Sequence, residues 1–365
     1  MAVFDTVIVG AGPAGSAAAY DLVRAGVKVL IVDKEDFPRD KPCGGGLTVK
    51  TIKALRFDVG SVVSQKCDRV SLTNNLKRPV KALAPGTILH MTVRKYFDKL
   101  CLERAIAAGA AFSKAQIVDA RERGETIELY TADEEIIAAR FIVAADGAKS
   151  TMRRIVLPED KTPRAFALEG QCRVPEHYDQ RQANFDFFYL PGGYGWIFPK
   201  GDHLNIGIGS FKKGKHGRVL SKAALGEYCK SKLGHGDLRH VKGYPLCGGG
   251  DIVRISSGRV LFAGDAAGTV ESLLGEGIYN AVISGQAAAG AITKAMKQGH
   301  DPRMCAAFYE QDFAKIRKEL SFSRRAGVGF YRFPALSYLF LRLLPVQRKV
   351  LAGIAEGKTV RDIAL

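Results

Sequence analysis

Much is missing from this sequence, and each absence closes a function class. No two of its seven cysteines (Cys43, Cys67, Cys101, Cys172, Cys229, Cys247, Cys305) have CxxC spacing, which excludes a zinc ribbon and a ferredoxin-type iron–sulfur cluster, so no metal is expected. Their number is odd and their density low, which predicts free thiols in a reducing compartment. No apolar run reaches the ~20 residues a membrane-spanning helix needs. The nearest, "FPALSYLFLRLLPV" (333–346), is broken by Arg342 and two prolines. Val7–Val9 is too short an apolar stretch for a secretory leader. Internal repeats and low-complexity tracts are also lacking. Acidic residues are few, 37 against 54 basic, giving a net charge of +17. That excess suits an anionic partner such as a membrane surface, although a merely solvated basic surface is the alternative. No nucleic-acid motif accompanies it, so nucleic acid is not expected. The 365 residues are enough for two domains with sizeable cores.

What is present begins with "VFDTVIVG", a buried parallel strand, then a helix ending at Gly26 and a second buried strand, "VKVLIVD". Between strand and helix, "GAGPAG" sets Gly10, Gly12 and Gly15 in GxGxxG spacing. Gly10 permits the turn, Gly12 leaves room for a pyrophosphate, and Gly15 lets the helix pack on the strand. Asp33, 23 residues after Gly10, ends the second strand, where its carboxylate suits an adenosine ribose. The unit by itself does not separate NAD from FAD. Two further strand ends carry aspartates: Asp146 in "FIVAADGAKSTMRR", followed by Ser150 and Arg153, and Asp265 in "GRVLFAGDAAGTVESLLGEGIYNA". In the latter, Gly275, Gly277 and Ile278 open a helix whose start is a second anion-binding surface.

This ordered set resembles the FAD-dependent oxidoreductases of the para-hydroxybenzoate hydroxylase type. The resemblance implies FAD, held at its adenosine diphosphate end by Gly10, Gly12, Ala14, Gly15, Asp33 and Lys34. It further implies that Arg94, opening the helix "RKYFDKL", lies near the phosphates and that the Val118 backbone contacts adenine. Asp146 is carried over with the second motif, Asp265 to the ribityl chain, and Gly275, Gly277 and Ile278 to the flavin. No second GxGxxG unit exists, so the external reductant, NADPH or a reduced electron carrier, has no Rossmann domain of its own.

"PGGYGWIFPKGDHLNIGIG" (191–209) holds the only tryptophan and alternates Tyr194, Trp196 and Phe198, which period two places on one strand face. With Pro199 these form the expected substrate wall; a sheet packing on its own core would show the same stripe. Together with "KPCGGGL" after the Asp33 strand and "GEGIYNAVISGQAAA", the segment resembles the geranylgeranyl reductase family, with matches from about residue 4 to residue 290. The family saturates isolated double bonds of prenyl chains on lipids, prenyl diphosphates, chlorophyll precursors or quinones. The resemblance places Cys43, Gly44 and Gly46 beside FAD, with Cys43 as candidate proton donor and an isoprenoid lipid as substrate. A flavin-dependent monooxygenase or halogenase, and an electron-relay flavoprotein acting on quinone, are the alternatives.

The expected fold is α/β: a Rossmann-type FAD-binding domain (1–60, 94–160, 255–297), an inserted antiparallel substrate domain (61–93, 161–254) and a helical C-terminal region (298–365). The expected location is cytoplasmic, peripheral on the inner face of the membrane.

Overall fold

The computed structural model describes residues 3–159, 164–211, 218–248, 254–299 and 301–365. Most of the basic run "KKGKHGR" (212–217) lies outside them. The chain divides into two compact units: Met1–Arg39, Lys95–Pro163 and Cys247–Ser321 form one, and Asp40–Arg94, Arg164–Leu246 and Phe322–Leu365 the other.

The first unit is built on a parallel sheet. Strand Val3–Val9 lies between Ile136–Ala144 and Val29–Asp33, and Ala111–Lys114 and Val260–Phe262 extend it at either side, all in parallel. These strands are near-continuous apolar runs because both faces are covered. An antiparallel hairpin, Ile117–Arg123 with Thr126–Thr131, branches from Ile136–Ala144. Helices Pro13–Arg24 and Ile278–Lys297 cross closely: a Cβ on Gly285 would lie 2.1 Å from the Ala14 carbonyl oxygen. Buried Arg153 ties the unit's distant segments together, donating to the carbonyls of Ala266 (2.7 Å) and Arg254 (2.8 Å).

The second unit carries a seven-stranded sheet in the order Arg239–Cys247, Arg164–Arg173, His203–Ser210, Gly193–Pro199, Gln182–Phe187, Arg69–Asn74, Lys77–Leu83. The sheet was expected to be antiparallel, and Gln182–Phe187 departs from this by running parallel to Arg69–Asn74. Those partners come from distant parts of the chain, so no hairpin dictates their direction. One face packs on helix Lys222–Leu233, with Ile197, Leu204, Ile206 and Ile208 against Leu225, Tyr228 and Cys229. Ser221 caps the start of that helix by accepting from the Ala224 N–H.

Residues 40–60, expected with the FAD domain, sort with this second unit. Gly46–Thr48 pairs with Leu89–Thr92, which pairs with Val63–Cys67 in a three-stranded sheet. The tail 298–365 is divided rather than separate. From Phe322 it joins the second unit, where Phe330 meets Phe187 edge to face and stacks on Phe188, each at 5.1 Å between ring centroids.

Candidate active site

The glycine turn of the first unit is shaped by contacts that forbid side chains. Gly10 has φ +104°, and a Cβ there would lie 2.5 Å from the Ala145 carbonyl oxygen. At Gly15 a Cβ would meet the Gly10 carbonyl oxygen at 1.9 Å. Gly12 differs: its Cβ would meet only the Arg39 guanidinium, at 3.6 Å. The first and third glycines therefore serve the strand–helix junction, and the second keeps a surface bare. Helix Pro13–Arg24 has no side-chain cap at Gly12 and no acid in its first turn. Its N-terminal dipole is thus left for an anion. Arg39 stands beside it, fixed by the buried Asp98 carboxylate at 3.3 Å. Nothing in the GxGxxG spacing marks Arg39, which lies outside the motif.

Asp33 organises this turn from the next strand. One carboxylate oxygen accepts the Ala11 N–H at 2.8 Å and the other the Glu35 N–H at 3.0 Å. Each oxygen keeps a lone pair for a hydroxyl. Lys34 beside it is exposed, and Ala14 is buried in the helix crossing. Asp146 is committed to its own turn: it accepts from Ser150 Oγ (2.6 Å) and from the N–H groups of Thr151 (2.7 Å) and Met152 (3.0 Å). Burial nevertheless raises its pKa. Val118 sits on the branching hairpin with an exposed side chain.

Asp265 lies in the turn Gly264–Ala267, and its Oδ1 is 3.8 Å from where a Gly277 Cβ would stand. Gly277 opens helix Ile278–Lys297 without a side-chain cap, so a second helix N-terminus is bare beside a carboxylate. Gly275 is held at φ +73° by a loop that the buried Glu271 organises, accepting from the N–H groups of Leu273 (2.5 Å) and Leu274 (2.8 Å). Glu271 was not legible as a loop organiser. These bare helix ends, the side-chain-free turn and the paired aspartates fit a dinucleotide with one polyol arm. Gly12, Ala14, Asp33, Arg39, Asp265 and Gly277 are the residues that would hold it.

The second unit supplies an apolar wall. Tyr194, Trp196 and Phe198 share a strand face, with successive ring centroids 5.9 and 6.5 Å apart. Phe185, one strand away, lies 6.1 Å from Tyr194 and 5.3 Å from Phe198. Opposite the stripe, His203–Ser210 presents Gly209, Gly207 and Asn205 in register. Gly207 is obligatory there, because a Cβ would lie 2.1 Å from the indole Cζ2. Trp196 Nε1 donates to Asn205 Oδ1 at 2.7 Å, which fixes the ring. Pro199 closes the strand.

Against this wall lies the loop Cys43–Gly46. A Cβ on Gly44 would be 3.0 Å from the Phe198 ring and 3.3 Å from Trp196 Nε1. Gly45 is left-handed at φ +60°, and a Cβ would meet the Thr92 carbonyl oxygen at 2.2 Å. The half-buried Cys43 receives the Gly45 N–H on its Sγ at 3.4 Å, while its own N–H donates to Glu169 Oε1 at 2.8 Å. Beneath the loop, Lys200 is 4% exposed and donates to the carbonyls of Gly44 (2.5 Å), Gly45 (3.1 Å) and Thr92 (3.0 Å). Burial lowers its pKa to about 8, offset by the nearby Cys43, Glu169 and Cys67. Burial raises the Glu169 carboxyl, opposed by the Cys43 N–H, Asn205, Lys200 and Arg94. Neither Lys200 nor Glu169 was among the expected site residues.

Fold and site together define a flavoprotein: a Rossmann-type dinucleotide cradle in one unit and a β-sheet unit bearing an aromatic wall. Residues 3–164 match the family model described as FAD binding domain, and residues 173–243 that of the geranylgeranyl reductase catalytic domain. The geranylgeranyl diphosphate reductase of Rhodobacter capsulatus is 30% identical across 87% of this chain and 82% of its own. The menaquinone reductase of Mycobacterium tuberculosis is 30% identical across 86% and 82%. A geranylgeranyl bacteriochlorophyll reductase-like structure from Thermoplasma acidophilum superposes with a TM-score of 0.81 at 22% identity, covering 99% of this chain and 95% of that one. The flavin-dependent halogenase CmlS shares the fold at a lower TM-score, 0.68. The chain belongs to the geranylgeranyl reductase family, FAD-dependent oxidoreductases acting on carbon–carbon double bonds of prenyl chains, and FAD is its cofactor.

Proposed function

We propose that this protein saturates isolated double bonds in the prenyl chain of a membrane lipid, with Cys43 as the proton donor. The observation that carries this reading is the aromatic wall with its glycine floor, against which the cysteine loop is laid. Tyr194, Trp196, Phe198 and Phe185 offer an apolar trough for an isoprenoid chain and exclude water from it. FAD, when bound and reduced, supplies the hydride. An isolated alkene has no carbonyl to take up negative charge, so the proton must arrive nearly in concert at the other carbon. Cys43 Sγ–H delivers it and is left as a thiolate, which solvent reprotonates. The tertiary carbon gains cationic character, which the faces of Trp196 and Tyr194 stabilise.

The lipid is met at an anionic bilayer. Helix Pro334–Leu341 and its flanks expose Phe333, Leu336, Leu339, Phe340, Leu343 and Leu344, bordered by exposed Arg332, Arg342, Arg348 and Lys349. No helix among the described residues is long and apolar enough to cross a membrane. A surface helix with basic neighbours lies on one instead.

The test uses pre-reduced enzyme and a prenyl lipid in detergent, with mass spectrometry following gains of two hydrogens. Cys43→Ser, which retains a hydroxyl proton, should reduce the alkene slowly, and Cys43→Ala more slowly still, while both bind FAD and accept electrons. Unchanged turnover in Cys43→Ala would remove Cys43 as the acid. No gain of hydrogens on any prenyl lipid would remove the reaction.

A further inference from the structure

A lysine with almost no exposure is costly unless its donors are all used. Lys200 meets that condition. Its Nζ has three carbonyl acceptors, those of Gly44, Gly45 and Thr92, which is the number an ammonium can serve and one more than a neutral amine can. Two of the three belong to the loop that carries Cys43. The chain thus ends its aromatic strand with Pro199 and turns the next side chain under that loop. The Lys200 N–H closes the hairpin on the His203 carbonyl at 2.8 Å, which aims the side chain inward.

Glu169 approaches the same loop from the neighbouring strand Arg164–Arg173. It accepts the Cys43 N–H and is hydrogen-bonded to Asn205, whose other side-chain atom accepts from Trp196. Lys200 and Glu169 therefore both hold the backbone of the loop that carries the thiol, and Glu169 is linked through Asn205 to Trp196. The charged groups facing it are Lys200 from the hairpin, Glu169 from the strand, and Arg94 beside Glu169. Cys67, from the strand Val63–Cys67, is pushed up to about 12 by burial and stays a neutral thiol.

We infer that Lys200 and Glu169 are opposed positioning residues that set how readily Cys43 gives up its proton. Lys200 places a cation under the loop and, through the Gly44 and Gly45 carbonyls, holds the Gly45 N–H toward Sγ. Both favour the thiolate left behind when the proton departs. Glu169 anchors the Cys43 backbone, but its carboxylate works against that thiolate. The pair's catalytic meaning rests on Cys43 being the proton donor. The charge effect on the thiol does not, and the experiment reads the thiol alone.

Cys43 is suited to such a reading, being half-buried where the other six cysteines are buried. The experiment measures the rate of Cys43 alkylation by iodoacetamide at neutral pH in the FAD-loaded full chain, located by peptide mass spectrometry. Iodoacetamide reacts with the thiolate, so the rate follows the thiolate fraction. Lys200→Met removes the cation and should slow alkylation by about three- to tenfold. Glu169→Gln keeps an oxygen for the Cys43 N–H, removes the negative charge, and should accelerate it by a similar factor. Lys200→Gln, which keeps amide donors for the loop carbonyls, should also be slow and replaces Lys200→Met if that variant does not retain FAD. A merely structural role would loosen the loop and accelerate alkylation in every variant. Any lysine variant that is not slower than wild type, or a Glu169→Gln that is not faster, overturns the inference.

Discussion

At the scale of single residues, the glycine turn separates two demands that GxGxxG spacing merges. Gly15 meets backbone at 1.9 Å and Gly12 meets only a side-chain tip at 3.6 Å. Gly15→Ala should therefore destabilise the first unit by about 1–3 kcal/mol or more, the scale of overpacking, visible as a lowered apo melting temperature. Gly12→Ala should leave that temperature unchanged and weaken FAD by roughly tenfold or more, the scale of one hydrogen bond to a charged group. Equal effects on folding would show that Gly12 is there for packing. Arg39→Met belongs to the same argument. It removes the cation beside Gly12 and leaves the Asp98 carboxylate buried without that partner, so FAD affinity and stability should fall together. Fluorescence titration of FAD against thermal unfolding separates the cases.

At the scale of elements, the stripe Tyr194, Trp196, Phe198 was legible because period two needs only one strand. Its floor was not, because it depends on which strand lies alongside and in what register. Gly207 reads as a weak strand residue until Trp196 is set opposite it. Likewise Lys200 and Glu169 read as surface charges in sequence; only the hairpin turn and the loop above them make them buried or half-buried. The βαβ unit and its aspartate were legible for the opposite reason, being encoded in contiguous residues. Residues 40–60 and the tail beyond Phe322 were assigned elsewhere by chain order, whereas their partners, Leu89–Thr92 and Phe187, are remote in sequence. The floor makes a prediction of its own. Gly207→Ala should displace the indole, shift the emission of this single tryptophan and lower alkene reduction by about tenfold, with FAD content unchanged. Normal turnover with a shifted emission would separate Trp196 from the substrate trough.

At the scale of the whole molecule, charge and apolar exposure act together. The excess of +17 spreads over the chain, and six exposed large apolar residues cluster at Phe333–Leu344, whereas the others among the described residues are scattered. Tyr338, on the opposite side of that helix, is 2% exposed and donates to the Leu72 carbonyl at 3.0 Å and to that of Arg78. One side of the helix is thereby tied to the sheet unit, and Leu336, Leu339, Phe340 and Leu343 follow helical spacing on the other. A helix serving only as core would bury this face too. Inserting such side chains into a bilayer gains about 1.5–3 kcal/mol each at full burial, and each nearby basic residue adds roughly 1 kcal/mol on anionic lipid. Binding should therefore need both lipid charge and the apolar face. Co-sedimentation with anionic vesicles should exceed that with neutral ones and fall as salt is raised. Leu336→Asp with Leu339→Asp should abolish it while FAD content and turnover on a detergent-dispersed prenyl lipid persist, because neither residue faces the aromatic wall's own network. Arg342→Glu should weaken it only on anionic vesicles. Equal binding to neutral and anionic vesicles, or binding that survives the double aspartate variant, would move the lipid-entry surface away from this helix.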